Sequence, residues 1–352
     1  LFGHLLGLLD GRRDPETLLE WSLDPEATNR LAALPPDERG DLIRAVGDTA
    51  GTLSKRIFES IASSHGVRAL SIGLVARVLY DRDAAPDVET SKATVRLEPY
   101  VGNRPLDPGQ AMGWAEAAET VLQRTLLRDG IASVLPVLEE ADRFLAESLQ
   151  LPGKAHRSRV LISGFEQRMA QVGGELSGAI AARESTVPQG LRDAVQQARE
   201  HLLAHHDPRR KARADRVLMA LRPTNWLAWR RREAVPMRSF SEAATAYGAE
   251  GGFVDWARAQ IWDGDSESTL CRAYGDLDQA VLREREVDNK RFGELLAGWL
   301  ASGSYDESII PVENVIDQVV APLAKDVPVL LLVLDGMSMA IFRELQWKLP
   351  EG

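Results

Sequence analysis

Apolar residues at helical spacing constrain this chain more than any other feature. Trp114, Ala118, Val121, Leu122 and Leu126 recur at intervals of three and four, which lines them along one face of a helix. Leu42, Ile43 and Val46 do the same behind Pro35-Pro36-Asp37-Glu38. Asp14-Pro15-Glu16 and Asp24-Pro25-Glu26 each place a capping carboxylate ahead of a proline at the first helical position. Val67–Tyr80 and Glu89–Val101 also read as helices, despite their β-branched residues. Gly102-Asn103-Arg104-Pro105, Gly130 and Pro152-Gly153 are breaks, and Pro136 opens or kinks a helix running towards Leu149. A long helix is expected from Lys154 to Arg183, with Gly173-Gly174 as a weak point costing about 1 kcal/mol per glycine relative to alanine. Short links between long amphipathic helices predict antiparallel bundles. No fixed-period repeat indicates a solenoid.

At 352 residues the chain is too long for one ordinary core. The expected division is a helical domain over 1–206, a second helical subdomain over 207–325 joined near His205-His206-Asp207-Pro208, and a change of pattern over 326–352. Aromatic residues are only 6%, which favours helix over sheet. Trp256, Trp262 and Trp299 are expected to anchor the core of the second subdomain. The net charge of -10 excludes the global basic footprint of a nucleic-acid binder. The single cysteine, Cys271, permits no internal disulfide and points to a reducing compartment. Phe2–Leu9 is too short to cross a membrane and lacks the flanks of a signal peptide. A cytoplasmic protein without membrane partners is expected. Leu1 and Gly352 are expected to be cut ends.

The helical pattern stops at Val327. Val327-Pro328-Val329-Leu330-Leu331-Leu332-Val333-Leu334 is apolar on both faces, as in a strand buried inside a parallel sheet. Asp335 and Gly336 end it, and Ser338 to Leu349 read as a helix. Such a unit puts a carboxylate at the carboxyl end of a strand, where open α/β sheets bind ligands. Asp335 is then a candidate ligand for zinc, magnesium or manganese. Gly336, Met337 and Ser338, at the helix N-terminus, are candidate phosphate contacts. Asp335 can equally be a plain helix cap. A Walker-B reading fails, because upstream of Gly153-Lys154 the first glycine position holds Ser148, and Ala155 follows the lysine.

Leu331-Leu332-Val333-Leu334-Asp335-Gly336-Met337-Ser338 resembles the first metal-ligand motif of the alkaline phosphatase superfamily. With Pro311-Val312-Glu313-Asn314-Val315-Ile316-Asp317 and Val320-Ala321-Pro322-Leu323 before it, the stretch resembles the approach to the PglZ domain of type 2 bacteriophage-exclusion (BREX, phage growth limitation) systems. Asp288-Asn289-Lys290-Arg291-Phe292 and Gly298-Trp299-Leu300 are similar to the helix preceding that domain. The resemblance implies a mainly α N-terminal region followed by the first β-strand and helix of a truncated α/β alkaline-phosphatase-like domain. It implies a phosphohydrolase of antiphage defence with two divalent ions, zinc or similar, and a Ser or Thr nucleophile on a later strand–helix junction. Only Asp335 carries over as a ligand, so these 352 residues are expected to be inactive and to hold no metal tightly. The alternative is a helical scaffold that docks other proteins of the defence system.

Two further patterns carry ligand-binding chemistry. His201 and His205 stand four apart, as zinc ligands can on a helix, but Leu202 occupies the position where a zinc protease carries Glu. A solvated helix is the favoured reading. Between 209 and 232 the chain is strongly basic, with Trp226 and Trp229 interleaved. Arg209, Arg210, Lys211, Arg213, Arg230 and Arg231 are candidate nucleic-acid contacts. A face of arginines paired with the abundant acids is the favoured alternative.

Overall fold

The computed structural model describes residues 13–63, 66–81, 85, 87–233, 237–302 and 309–349. The expectations for Phe2–Leu9 and for the two chain ends lie outside them. The chain is mainly α. In order, the helices are α1 (Pro15–Trp21), α2 (Pro25–Ala32), α3 (Pro36–Ser63), α4 (Ala69–Leu79), α5 (Val88–Leu97), α6 (Pro108–Asp129), α7 (Ile131–Arg143), α8 (Ile162–Ala182), α9 (Gln189–Arg199), α10 (Leu202–His206), α11 (Pro208–Arg232), α12 (Phe240–Ala246), α13 (Gly252–Ile261), α14 (Ser268–Ser302) and α15 (Met339–Lys348). The helix starts follow the local chemistry. Asp14 accepts from the Thr17 amide at 2.9 Å and Asp24 from Glu26 at 2.9 Å. Asp107 accepts from Gly109 at 2.9 Å and Gln110 at 3.2 Å. Each satisfies an amide that has no partner within its helix.

The chain forms two compact units. The first comprises Leu1–Met169 and Gln197–Ala212, the second Ala170–Gln196 and Arg213–Gly352. The first is centred on α4, of which every residue but Arg77 is buried. It packs on α6 through the apolar face expected there: Trp114, Ala118, Val121, Leu122 and Leu126 are all buried. Gly73 sits against Trp114, whose Nε1 donates to the Ala69 carbonyl at 3.0 Å. α6 ends at Gly130, whose φ of 80° suits glycine. Pro136 lies inside α7 rather than at its start.

In the second unit, Leu270, Tyr274, Leu277 and Val281 of α14 form the core with Trp256 and Ile261 of α13. Gly173 is a contact rather than a weak point. A Cβ there would lie 2.6 Å from the Leu270 amide nitrogen, so only glycine allows α8 this close to α14. Trp256 is in the core as expected, whereas Trp262 is 76% exposed; it follows α13 and faces outward. Trp299 stacks on Phe240 at 4.8 Å.

The main correction concerns 327–334. The expected first β-strand does not form, and among the described residues there is no strand at all. Strand geometry is held by a hydrogen-bonded neighbour, and the described residues offer no sheet edge. The segment has no regular secondary structure and its apolar side chains are exposed, with Leu330 at 92%.

Candidate functional site

Asp335 and Gly336 form a turn, with Gly336 at φ 73°. Asp335 is exposed. The Ser338 Oγ accepts from the Ile341 amide at 3.3 Å, so this hydroxyl caps α15. Met337 is half-buried. Among the described residues, no three His, Cys, Asp or Glu side chains gather as a metal site. One exposed carboxylate cannot satisfy a divalent ion that needs four or more ligands. The residues present therefore do not by themselves fit the implied metal centre.

The histidines do not converge either. His201 is fully buried and precedes α10, where its Nδ1 accepts from the Leu203 amide at 3.2 Å, whereas His205 is exposed. Because α10 begins only at Leu202, the four-residue spacing does not lie on one helical face. Burial, reinforced by the nearby Arg168 guanidinium, pushes the His201 imidazole down to about 3. Arg168 donates to the carbonyls of Gln197, His156 and Ser158 at 2.7, 3.0 and 3.2 Å.

Most of the basic stretch turns inward. Arg210 pairs with Asp207. Arg213 grips Asp265 through two bonds, Nη2 to Oδ1 at 2.7 Å and Nε to Oδ2 at 3.0 Å. Arg216 donates to the Gln260 and Gly264 carbonyls at 3.0 and 2.8 Å. Arg231 is exposed and donates to the Glu184 carbonyl at 3.3 Å. Arg209 and Lys211 are exposed.

Sequence reasoning missed a groove of about 1650 Å³ within the second unit, lined by α11, α12, α13 and α14. Its floor is a set of ion pairs. Arg285 meets Asp255 at 2.8 Å, Arg258 meets Asp278 at 2.8 Å, and Arg230 meets Asp288 at 2.9 Å. Tyr247 donates to Asp255 at 3.0 Å, with Arg285 stacked 4.8 Å from its ring centre. Burial raises the Tyr247 pKa, and the Asp255 carboxylate adds to the effect. Trp229 and Trp262 stand at the exposed edge. Among the described residues the lining contains no Ser, Thr, Cys, His or Lys. The individual charges were legible in the sequence; their pairing across three helices was not.

On another face of α13 lies α15, the helix that follows Asp335. Met339 packs on Gly252, where a Cβ would come within 2.4 Å of the Met339 Cγ. Arg343 donates to the Gly248 carbonyl and stacks 4.7 Å from the Phe253 ring centre. Arg222 of α11 sits over three rings, Phe253 at 5.1 Å, Trp256 at 5.2 Å and Trp347 at 5.6 Å.

Residues 14–160 match the family described as the BREX system PglZ second domain. No curated protein and no solved structure matches the chain. The family match covers α1 to α7 and supports a PglZ-type protein of a BREX antiphage defence system.

Proposed function

We propose that this PglZ-type BREX chain is the helical part of a metal-dependent phosphohydrolase, and that Val327–Ser338 opens the hydrolase domain. The observation that carries this reading is the bare apolar segment. Leu330, Leu332 and Val333 are 92%, 73% and 76% exposed in a sequence built for a two-sided interior. Burying such side chains in a sheet would contribute about 1.5–3 kcal/mol each, so the segment is unfavourable as it stands and favourable as a central strand. On this reading Asp335 is the first ligand of a divalent metal site, zinc or similar. The remaining ligands and the Ser or Thr nucleophile come from residues outside these 352. Metal ions in such a site polarise phosphate oxygens and activate the nucleophile.

The test compares this chain with one that continues through the hydrolase domain, using bis-p-nitrophenyl phosphate with zinc or manganese. The longer protein should turn over, and Asp335→Asn should abolish that turnover. The 352-residue chain should show none. Metal-dependent turnover by the 352-residue chain, or an Asp335→Asn enzyme as active as the parent, would overturn the reading.

The groove favours a second role compatible with the first, docking of other BREX proteins. Its exposed Trp229 and Trp262 are of the type that dominates interface energetics. Co-purification of individual BREX proteins with this chain, weakened by Trp262→Ala, is the expected result; capture indifferent to that change would remove the groove from the interface.

A further inference from the structure

We infer that α15 is a two-faced joint: α11 and α13 grip one side of it, and so hold the Asp335 turn at a fixed place, with Arg222 as the positioning residue. The consequence for Asp335 rests on the proposed hydrolase reading; the grip itself does not.

Met339, Arg343 and Trp347 are spaced four apart and therefore share one face of α15. That face meets α13. Met339 fills the space that Gly252 leaves open, and Arg343 reaches the Gly248 carbonyl. Trp347 lies 6.3 Å from Trp256 across Arg222. Ile341 and Leu345 lie on the other side and are 54% and 39% exposed. Like the side chains of 327–334, they are apolar and bare. A helix next to a sheet needs only one apolar face. This one has a polar-aromatic face already engaged by the helical unit and an apolar face left over for a sheet.

Arg222 makes the grip specific. Its planar guanidinium lies over Phe253 and Trp256 of α13 and over Trp347 of α15, so one cation ties three rings from two helices. Arg343 adds a second stacked cation at Phe253. Only three residues separate Asp335 from Met339, so wherever α15 is held, the turn is held with it.

Hydrogen–deuterium exchange on the 352-residue chain tests this, reading α15 against α14 as an internal reference. Amides of Met339–Lys348 should be protected in the parent. In Arg222→Ala they should exchange about tenfold faster, the order expected for losing a half-buried cation–π contact. Lysine at 222 keeps the charge but not the stacking plane and should restore only part of the protection. Gly252→Val should release α15 by blocking the Met339 seat. Trp347 is 69% exposed, so Trp347→Ala cannot collapse the core and decides the matter if the other variants misfold. Unprotected α15 amides in the parent, or parental exchange in Trp347→Ala, would overturn the joint. Failure of the hydrolysis assay with α15 still protected would count against the hydrolase reading alone.

Discussion

Arg213 and Asp265 form a two-bond ion pair, 2.7 and 3.0 Å, in which the Asp265 side chain is 0% exposed and that of Arg213 is 15% exposed. It ties α11 to the turn before α14, where Asp265 also accepts from the Glu267 amide at 2.8 Å. Asp265→Asn keeps an acceptor for that amide but leaves the arginine largely buried without its counter-ion. The expected loss is about 3–5 kcal/mol, read as a lower midpoint in urea. Replacing both partners by leucine should recover much of it.

His201 gives the first unit an acid-sensitive step. Its pKa falls from an ordinary 6.5 to about 3 on folding, so the unfolded chain takes up a proton that the folded chain refuses. Stability from this residue is complete above pH 6.5 and drains away as pH falls towards 3, with a slope of up to about 1.4 kcal/mol per pH unit. His201→Asn keeps a capping acceptor and does not titrate. Urea melts at pH 7.5 and 5 should show a smaller pH dependence for the variant; equal slopes would mean that the imidazole charges without cost.

The α4–α6 contact tolerates no growth at Gly73. A Cβ there would lie 2.5 Å from the Trp114 Cδ1 and 2.7 Å from the Ala118 Cβ. Gly73→Val should cost about 2–3 kcal/mol and lower the thermal midpoint. Gly275→Ala in α14, where a Cβ meets nothing within 4 Å, should raise stability by up to about 1 kcal/mol.

Nucleic-acid binding through 209–232 should be weak and salt-sensitive. Arg210, Arg213 and Arg230 each hold a carboxylate, which leaves fewer charges to displace counter-ions from DNA. A gel shift with duplex DNA should vanish between about 50 and 200 mM salt. Arg209→Ala with Lys211→Ala should weaken what remains. A shift that persists at the higher salt would mark a genuine interface.

The helices were readable because their determinants are local. An aspartate before a proline, a glycine after the last turn and a three-four apolar spacing act over a few residues, and α1 and α2 begin, and α6 ends, where such signals predict. Trp262 was misread because its exposure depends on where α13 ends relative to its neighbours. Gly173 looked like a flaw because its value lies in Leu270, nearly a hundred positions away in the chain. At the Asp335 turn, the sequence supplied the strand-like composition and the carboxylate, but pairing needs a second strand, and none is present among the described residues.

By itself, then, the sequence determined that this chain is mainly helical, where its first helices start, and that the helical pattern gives way to an unbroken apolar run at 327–334. Tertiary structure alone decided that the basic stretch is largely neutralised internally, that His201 is buried away from His205, that a groove floored by ion pairs opens between α11, α13 and α14, and that Arg222 clasps α15. Capping and periodicity are written in neighbouring residues, whereas an ion pair or an aromatic clasp exists only once distant segments are packed within a few ångströms of one another.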